Sequence, residues 1–239
     1  MTYRLLPALA LAFFGAAASA QSFDGASIVL EQQQYDDGGG FAVTSREIGA
    51  DIAFAFNGGF GAQLGFAHSS ETDSSDPSLD FESNNSYALH LFYDASDAVR
   101  LGVLAAADTF NDGDQFLGVE GVFLNDRVRA EARIGRFVSD VEPANLYELH
   151  GSYTLTDRVR LLGMLRRVDF DDSLGHYNLG SLGIGFGVTE SAELYAIYAR
   201  HENDFGPATG VYNGDVVSFG LRVTFGPRND RMFTYTPFY

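Results

Sequence analysis

The stretch VVSFGLRVTF (residues 216–225) decides how the rest of the chain is read. Val217, Phe219, Leu221, Val223 and Phe225 alternate with Val216, Ser218, Gly220, Arg222 and Thr224. Neighbouring side chains on a β-strand point to opposite faces, so this segment presents one apolar, aromatic-ended face and one mixed face carrying an arginine. Residues 46–56 repeat the pattern, with Ile48, Ala50, Ile52, Phe54 and Phe56 opposite Glu47, Gly49, Asp51, Ala53 and Ala55. So do residues 146–155, where Tyr147, Leu149, Gly151, Tyr153 and Leu155 oppose Glu148, His150, Ser152 and Thr154.

From residue 26 the whole chain follows this rule in segments of about ten residues. Twelve are legible: 26–35, 43–56, 60–69, 85–94, 98–108, 116–124, 127–138, 146–155, 158–168, 177–188, 192–201 and 215–225. Compact turns near Asn57-Gly58-Gly59, Ala95-Ser96-Asp97, Asn125-Asp126, Thr156-Asp157 and Thr189-Glu190-Ser191 alternate with longer polar stretches at 36–42, 70–84, 109–115, 139–145, 169–176 and 202–214. That rhythm is the signature of an up-and-down antiparallel barrel with tight turns at one end and long loops at the other. Proline agrees. It removes a ladder donor, and Pro77, Pro143, Pro207, Pro227 and Pro237 all fall outside the twelve segments. Phe54, Phe56, Phe60, Tyr93, Phe123, Tyr153, Phe186 and Tyr195 are assigned to the apolar face within a few residues of the short turns, as an aromatic girdle at a membrane interface requires.

The N-terminal residues set the compartment. Arg4, the apolar run 5–17 and Ala18-Ser19-Ala20 read as a cleaved secretory signal over residues 1–20, too short to anchor in a bilayer. The expected domain layout is then this signal, a barrel over 21–225 and a tail over 226–239. Absence of cysteine excludes a lipid-anchored N-terminal Cys, disulfides and thiolate metal sites. A formal net charge of −17 argues against nucleic acid as a partner. No segment after the signal is apolar over the eighteen or so residues a membrane helix needs.

The final strand resembles the closing strand of Gram-negative outer-membrane barrels, an amphipathic segment ending on an aromatic residue. The hairpins 116–137 and 147–170, which share Asp-Arg-Val-Arg at 126–129 and 157–160, resemble those of porin-like proteins. The resemblance covers the mature chain and is one of architecture. It implies an all-β transmembrane barrel of about twelve strands in the outer membrane. Implied partners are membrane lipid and lipopolysaccharide, the barrel-assembly machinery (through the strand ending at Phe225) and small solutes. In that family the aromatic is usually the last residue, whereas here fourteen more follow and end in a second aromatic pattern, Phe233 to Tyr239. The acidic Pro-Glu-Phe-Gly-Gly-type constriction loop of large porins is absent, and small twelve-stranded channels are the closer match in size.

Parity then assigns the lumen. Arg127, Arg129, Glu131 and Arg133 fall near Arg158, Arg160 and Arg166, and Arg100 and Arg222 extend the basic tract. Glu47, Asp51, Glu120 and Glu148 are the lumenal acids. Arginines facing carboxylates across water make a strong transverse field that orients solutes, whereas in a dry lumen the same charges must pair. The residues alone leave both arrangements open. The long loops are acidic (Glu71, Asp73, Asp76, Asp80, Glu82; Asp108, Asp112, Asp114; Asp169, Asp171, Asp172), and they read as solvated carboxylates in preference to a cation site.

No metal site, cofactor or catalytic set is expected. His68-Ser69-Ser70 is a close His/Ser pair, and it lacks the His-x-Ser-x-Gly form of outer-membrane phospholipases. The expected function is passive diffusion of small hydrophilic solutes, anions among them, through a porin-like pore. A structural or adhesive barrel with a closed lumen is the alternative.

Overall fold

The computed structural model describes residues 22–75, 83–109, 115–138, 143–171, 175–204 and 211–234. The signal segment, Asp76, Asp80, Glu82, Asp112, Asp114, Asp172, Pro77, Pro207 and Pro237 lie outside them. Twelve strands form one closed antiparallel barrel in which every strand pairs with its sequence neighbours and the last pairs with the first. They are β1 (Ser22–Asp36), β2 (Ala42–Ala55), β3 (Phe60–Ser74), β4 (Asn84–Asp94), β5 (Val99–Asp108) and β6 (Gln115–Leu124). The second half comprises β7 (Val128–Val138), β8 (Ala144–Thr156), β9 (Val159–Phe170), β10 (His176–Gly187), β11 (Ala192–Asp204) and β12 (Val211–Phe225).

Each strand contains the segment expected for it to within a residue or two at the short-turn end, apart from β1, which begins at Ser22. The other differences lie at the long-loop end, where β3 runs on to Ser74 and β12 begins at Val211. Apolar alternation stops before the backbone ladder does, and the ladder continues through polar sequence such as Ser69–Ser74 because its hydrogen bonds need no apolar face. Closure joins β1 to β12, with Ala26 opposite Phe225 and Asp36 opposite Asp215. The segment ending at Phe225 is therefore the closing strand, and no sheet edge is left unpaired.

The outside is an apolar band. Leu64, Val103, Leu117, Val119, Ile134, Leu149, Leu165, Leu182, Ile184 and Phe219 are all exposed, which in water would be an unusually large apolar surface. Phe60, Tyr93, Phe123, Tyr153 and Phe186 are exposed on the same side beside the short turns, and Phe60 packs on Tyr93 with ring centres 5.0 Å apart. One girdle assignment is corrected. Tyr195 is only 6% exposed, faces the lumen, and donates its hydroxyl to Glu31. Glu193 shares its parity and lies inside, leaving Leu194 as the lipid-facing neighbour.

Candidate functional site: the barrel lumen

The interior is divided. Toward the long loops, β4–β9 fill it with Ala88, Leu104, Ala106, Phe116, Phe137, Ala144, Leu146 and Val168, and the Phe116 and Phe137 rings lie 5.2 Å apart. The opposite wall, β10–β12 with β1–β3, carries half-buried polar groups along its length: Ser27, Asp51, Glu47, Glu31, Arg222, Gln33 and Tyr35.

Between these regions one cross-strand row sets the electrostatics. Glu120 on β6, Arg133 on β7, Glu148 on β8 and Arg166 on β9 stand directly opposite one another in turn. Arg133 is 1% exposed and reaches Glu148 at 3.0 Å, Glu131 at 3.3 Å and Glu120 at 3.5 Å. Arg166 Nε lies 2.6 Å from Glu148 Oε2, and His150 Nε2 2.8 Å from Glu148 Oε1. Glu120 Oε1 also meets His90 Nδ1 at 2.6 Å. At the short-turn end Arg100 binds Asp24 at 2.8 Å and Asp94 at 2.7 Å, with its guanidinium 3.7 Å from the centre of the Phe92 ring.

These pairs show where the expected lumenal residues go. Arg100, Arg129, Arg133, Arg160, Arg166, Glu120 and Glu148 all point inward in ion pairs, Arg129 with Glu131 at 2.7 Å and Arg160 with Glu193 at 2.6 Å. Asp51 accepts from Ser27 and Gln63, and Arg222 lies 5.6 Å from the Tyr195 ring centre. Glu47 stands on the same half-buried wall. Arg127 and Arg158 are different. Both occupy the short turns just outside β7 and β9 and are exposed, since a tight turn ends the alternation on which the parity assignment rests.

The residues that sequence reasoning missed include the tail and the side chains that hold it, Asp24, Asp94 and Gln63. Gly226, at φ 93°, lies so close to Phe23 and Gly25 that a Cβ would stand 2.7 Å from the Phe23 ring. Glycine permits both the left-handed turn and the contact, and the chain folds back into the barrel mouth. Arg228 then binds Asp24 at 2.5 Å and Asp94 at 3.3 Å, completing a box of two arginines and two aspartates. Deeper in, Arg129 donates to the carbonyls of Asp230 (3.1 Å) and Met232 (2.6 Å), and Arg133 donates to that of Thr234 (2.7 Å). The Gln63 amide donates to the Phe233 carbonyl at 2.8 Å and accepts from the Phe233 N–H at 2.9 Å. Glu131 accepts the Thr234 N–H.

The Phe233 ring, 1% exposed, stacks on His90 at 5.3 Å with planes 7° apart and meets Phe92 edge-on at 6.4 Å. Gly102 makes room for it, for a Cβ there would stand 2.8 Å from the ring. The available signal was the second aromatic pattern after Phe225.

A closed antiparallel barrel with an apolar exterior and a charged interior defines the class: this is a transmembrane-type β-barrel with a porin-like fold. No family model matches the sequence, and no curated protein does either. Solved structures do. The chain is similar to the KdgM porin, at TM-score 0.59 and 10% identity over 83% of this chain and 99% of that one. It is also similar to the NanC porin, at TM-score 0.60 and 7% identity over 82% and 98%. An outer-membrane channel from Pseudomonas putida F1 aligns at TM-score 0.57 and 12% identity over 87% and 98%. At such identities the likeness is one of fold.

Proposed function

We propose that this barrel is a channel for passive diffusion of small hydrophilic solutes across the outer membrane. The observation that carries the reading is the asymmetry of the lumen. One side is packed with apolar side chains, while the β10–β3 side is lined by half-buried polar and charged groups from Ser27 at one end to Tyr35 at the other. A barrel of about eight strands is filled by its own side chains, and twelve strands enclose more room than that. The solved structures of similar fold include KdgM captured with disordered oligogalacturonate, which supports the same reading.

Charge refines the expected solute. Most of the arginines that suggested anions are neutralised by buried carboxylates. Among the described residues the polar wall carries Glu31, Glu47 and Asp51 against Arg222. That balance favours neutral solutes and cations, because a lumen with low-dielectric walls magnifies the sign of its lining. Refolded protein added to a planar bilayer is expected to give discrete conductance steps, with a reversal potential under a salt gradient on the cation side. Silence from folded protein, both whole and lacking the residues after Phe225, refutes the channel. An anion-side potential refutes the charge argument and leaves the channel standing.

A further inference from the structure

We infer that residues 226–234 form a displaceable plug, a segment of the chain that closes the short-turn end of the lumen and can leave it without unfolding the barrel. The inference rests on the channel reading above, because a plug has meaning only where there is a passage.

Three features separate this segment from the wall. Its covalent link to the barrel is Gly226, and apart from one backbone hydrogen bond, Arg228 N–H to the Asp24 carbonyl, it belongs to no strand pairing, since β1 and β12 already complete the ladder. It is held by side chains gripping its backbone, as in recognition of an extended peptide. Arg129 and Arg133 take its carbonyls, Glu131 takes an N–H, and Gln63 clasps both groups of Phe233.

The seat also remains paired when the tail is lifted out. Arg129 keeps Glu131, Arg133 keeps Glu120, Glu131 and Glu148, and Arg100 keeps Asp24 and Asp94. The tail contributes neutral carbonyl oxygens at the deep end, so its departure strands no buried charge, the event that would otherwise make such a movement prohibitive. What departure exposes is the slot formed by His90, Phe92 and Gly102 together with Ala53 and Val122, on which Met232 and Phe233 pack. Phe233 is thus the latch, and the Arg228 box at the rim is the tether that keeps the tail near its seat.

The test compares single-channel recordings of the full chain, a chain truncated after Phe225, and the full chain carrying Phe233→Asp. The aspartate loses the ring's contacts with His90 and Phe92 and would carry a charge into a buried slot, which should expel the tail with every strand intact, so the test survives if the truncated chain does not fold. Folding of each is verified by heat-dependent gel migration. Both variants are expected to conduct several-fold more than the full chain. A synthetic peptide of residues 226–239, added from the short-turn side, should return the truncated barrel to the low level. The same peptide carrying Phe233→Ala should not.

Equal conductance in all three overturns the plug and leaves the channel reading intact. Silence in all three, with folding verified, overturns the channel reading and the plug with it. A large step in the truncated chain that the peptide fails to reduce also overturns the plug.

Discussion

Replacing Arg133 by methionine tests whether the charged row at mid-lumen carries stability. The guanidinium is fully buried, and its removal takes one cation from three carboxylates at once. Breaking a buried ion pair by deleting one partner costs about 3–5 kcal/mol, because the other charge is left buried. Here each carboxylate keeps another partner: His90 for Glu120, Arg129 for Glu131, Arg166 and His150 for Glu148. The expected loss therefore sits at the lower end, about 3 kcal/mol, or about two orders of magnitude in the folded-to-unfolded ratio.

With a denaturant slope of about 2 kcal/mol per molar, the urea midpoint in lipid vesicles should fall by about 1.5 M. The protein has no tryptophan and 12 tyrosines, so far-ultraviolet circular dichroism and tyrosine emission are the probes. Arg136→Met is the control. That arginine pairs with Asp171 in exposed positions on the outer side of the same strand, and its loss should leave the midpoint where it was. An Arg133→Met midpoint indistinguishable from the parent would refute the reasoning. It would mean that water enters the row and screens the charges.

Other perturbations probe the wall. Gly135→Ala places a Cβ 2.2 Å from the Phe116 ring and 2.5 Å from the Leu117 carbonyl, so overpacking should lower stability by about 1–3 kcal/mol in the same titration; an unchanged midpoint would show that the Phe116 cluster is loose. Leu165→Arg puts a charge on the outer face, where Leu165 is 62% exposed, and refolding into vesicles should lose about 2–4 kcal/mol if that face meets lipid. A neutral effect there would place water, and not hydrocarbon, against β9. Glu31→Gln together with Glu47→Gln removes two acids from the polar wall and should move the reversal potential toward anions while leaving the barrel's heat-dependent migration unchanged. No movement would show that permeating ions do not pass that wall.

The alternation in VVSFGLRVTF and its relatives determined the architecture, because a strand's two-residue period is a local property of the backbone and a barrel in lipid needs an apolar outside at every second position. Strand number, the short and long connections and closure at Phe225 were all legible for that reason. Parity also sorted Arg100, Arg133, Arg166, Glu120 and Glu148 to the lumen. It failed at Arg127 and Arg158, where turns end the period, and at Tyr195, where an aromatic residue beside a short turn resembled a girdle member although Glu193 on the same face marked it as lumenal.

Two things were decided only by the tertiary structure. One is which charges meet, since Glu120, Arg133, Glu148 and Arg166 become a row only through the register of β6, β7, β8 and β9. The other is the fate of the residues after Phe225. Their local sequence carries Arg228, Asp230 and Arg231 ahead of the aromatics, and none of it says where the segment lies. That Phe233 lies on His90 rather than outside the barrel depends on a left-handed turn at Gly226 and on a slot that exists only once the barrel has closed.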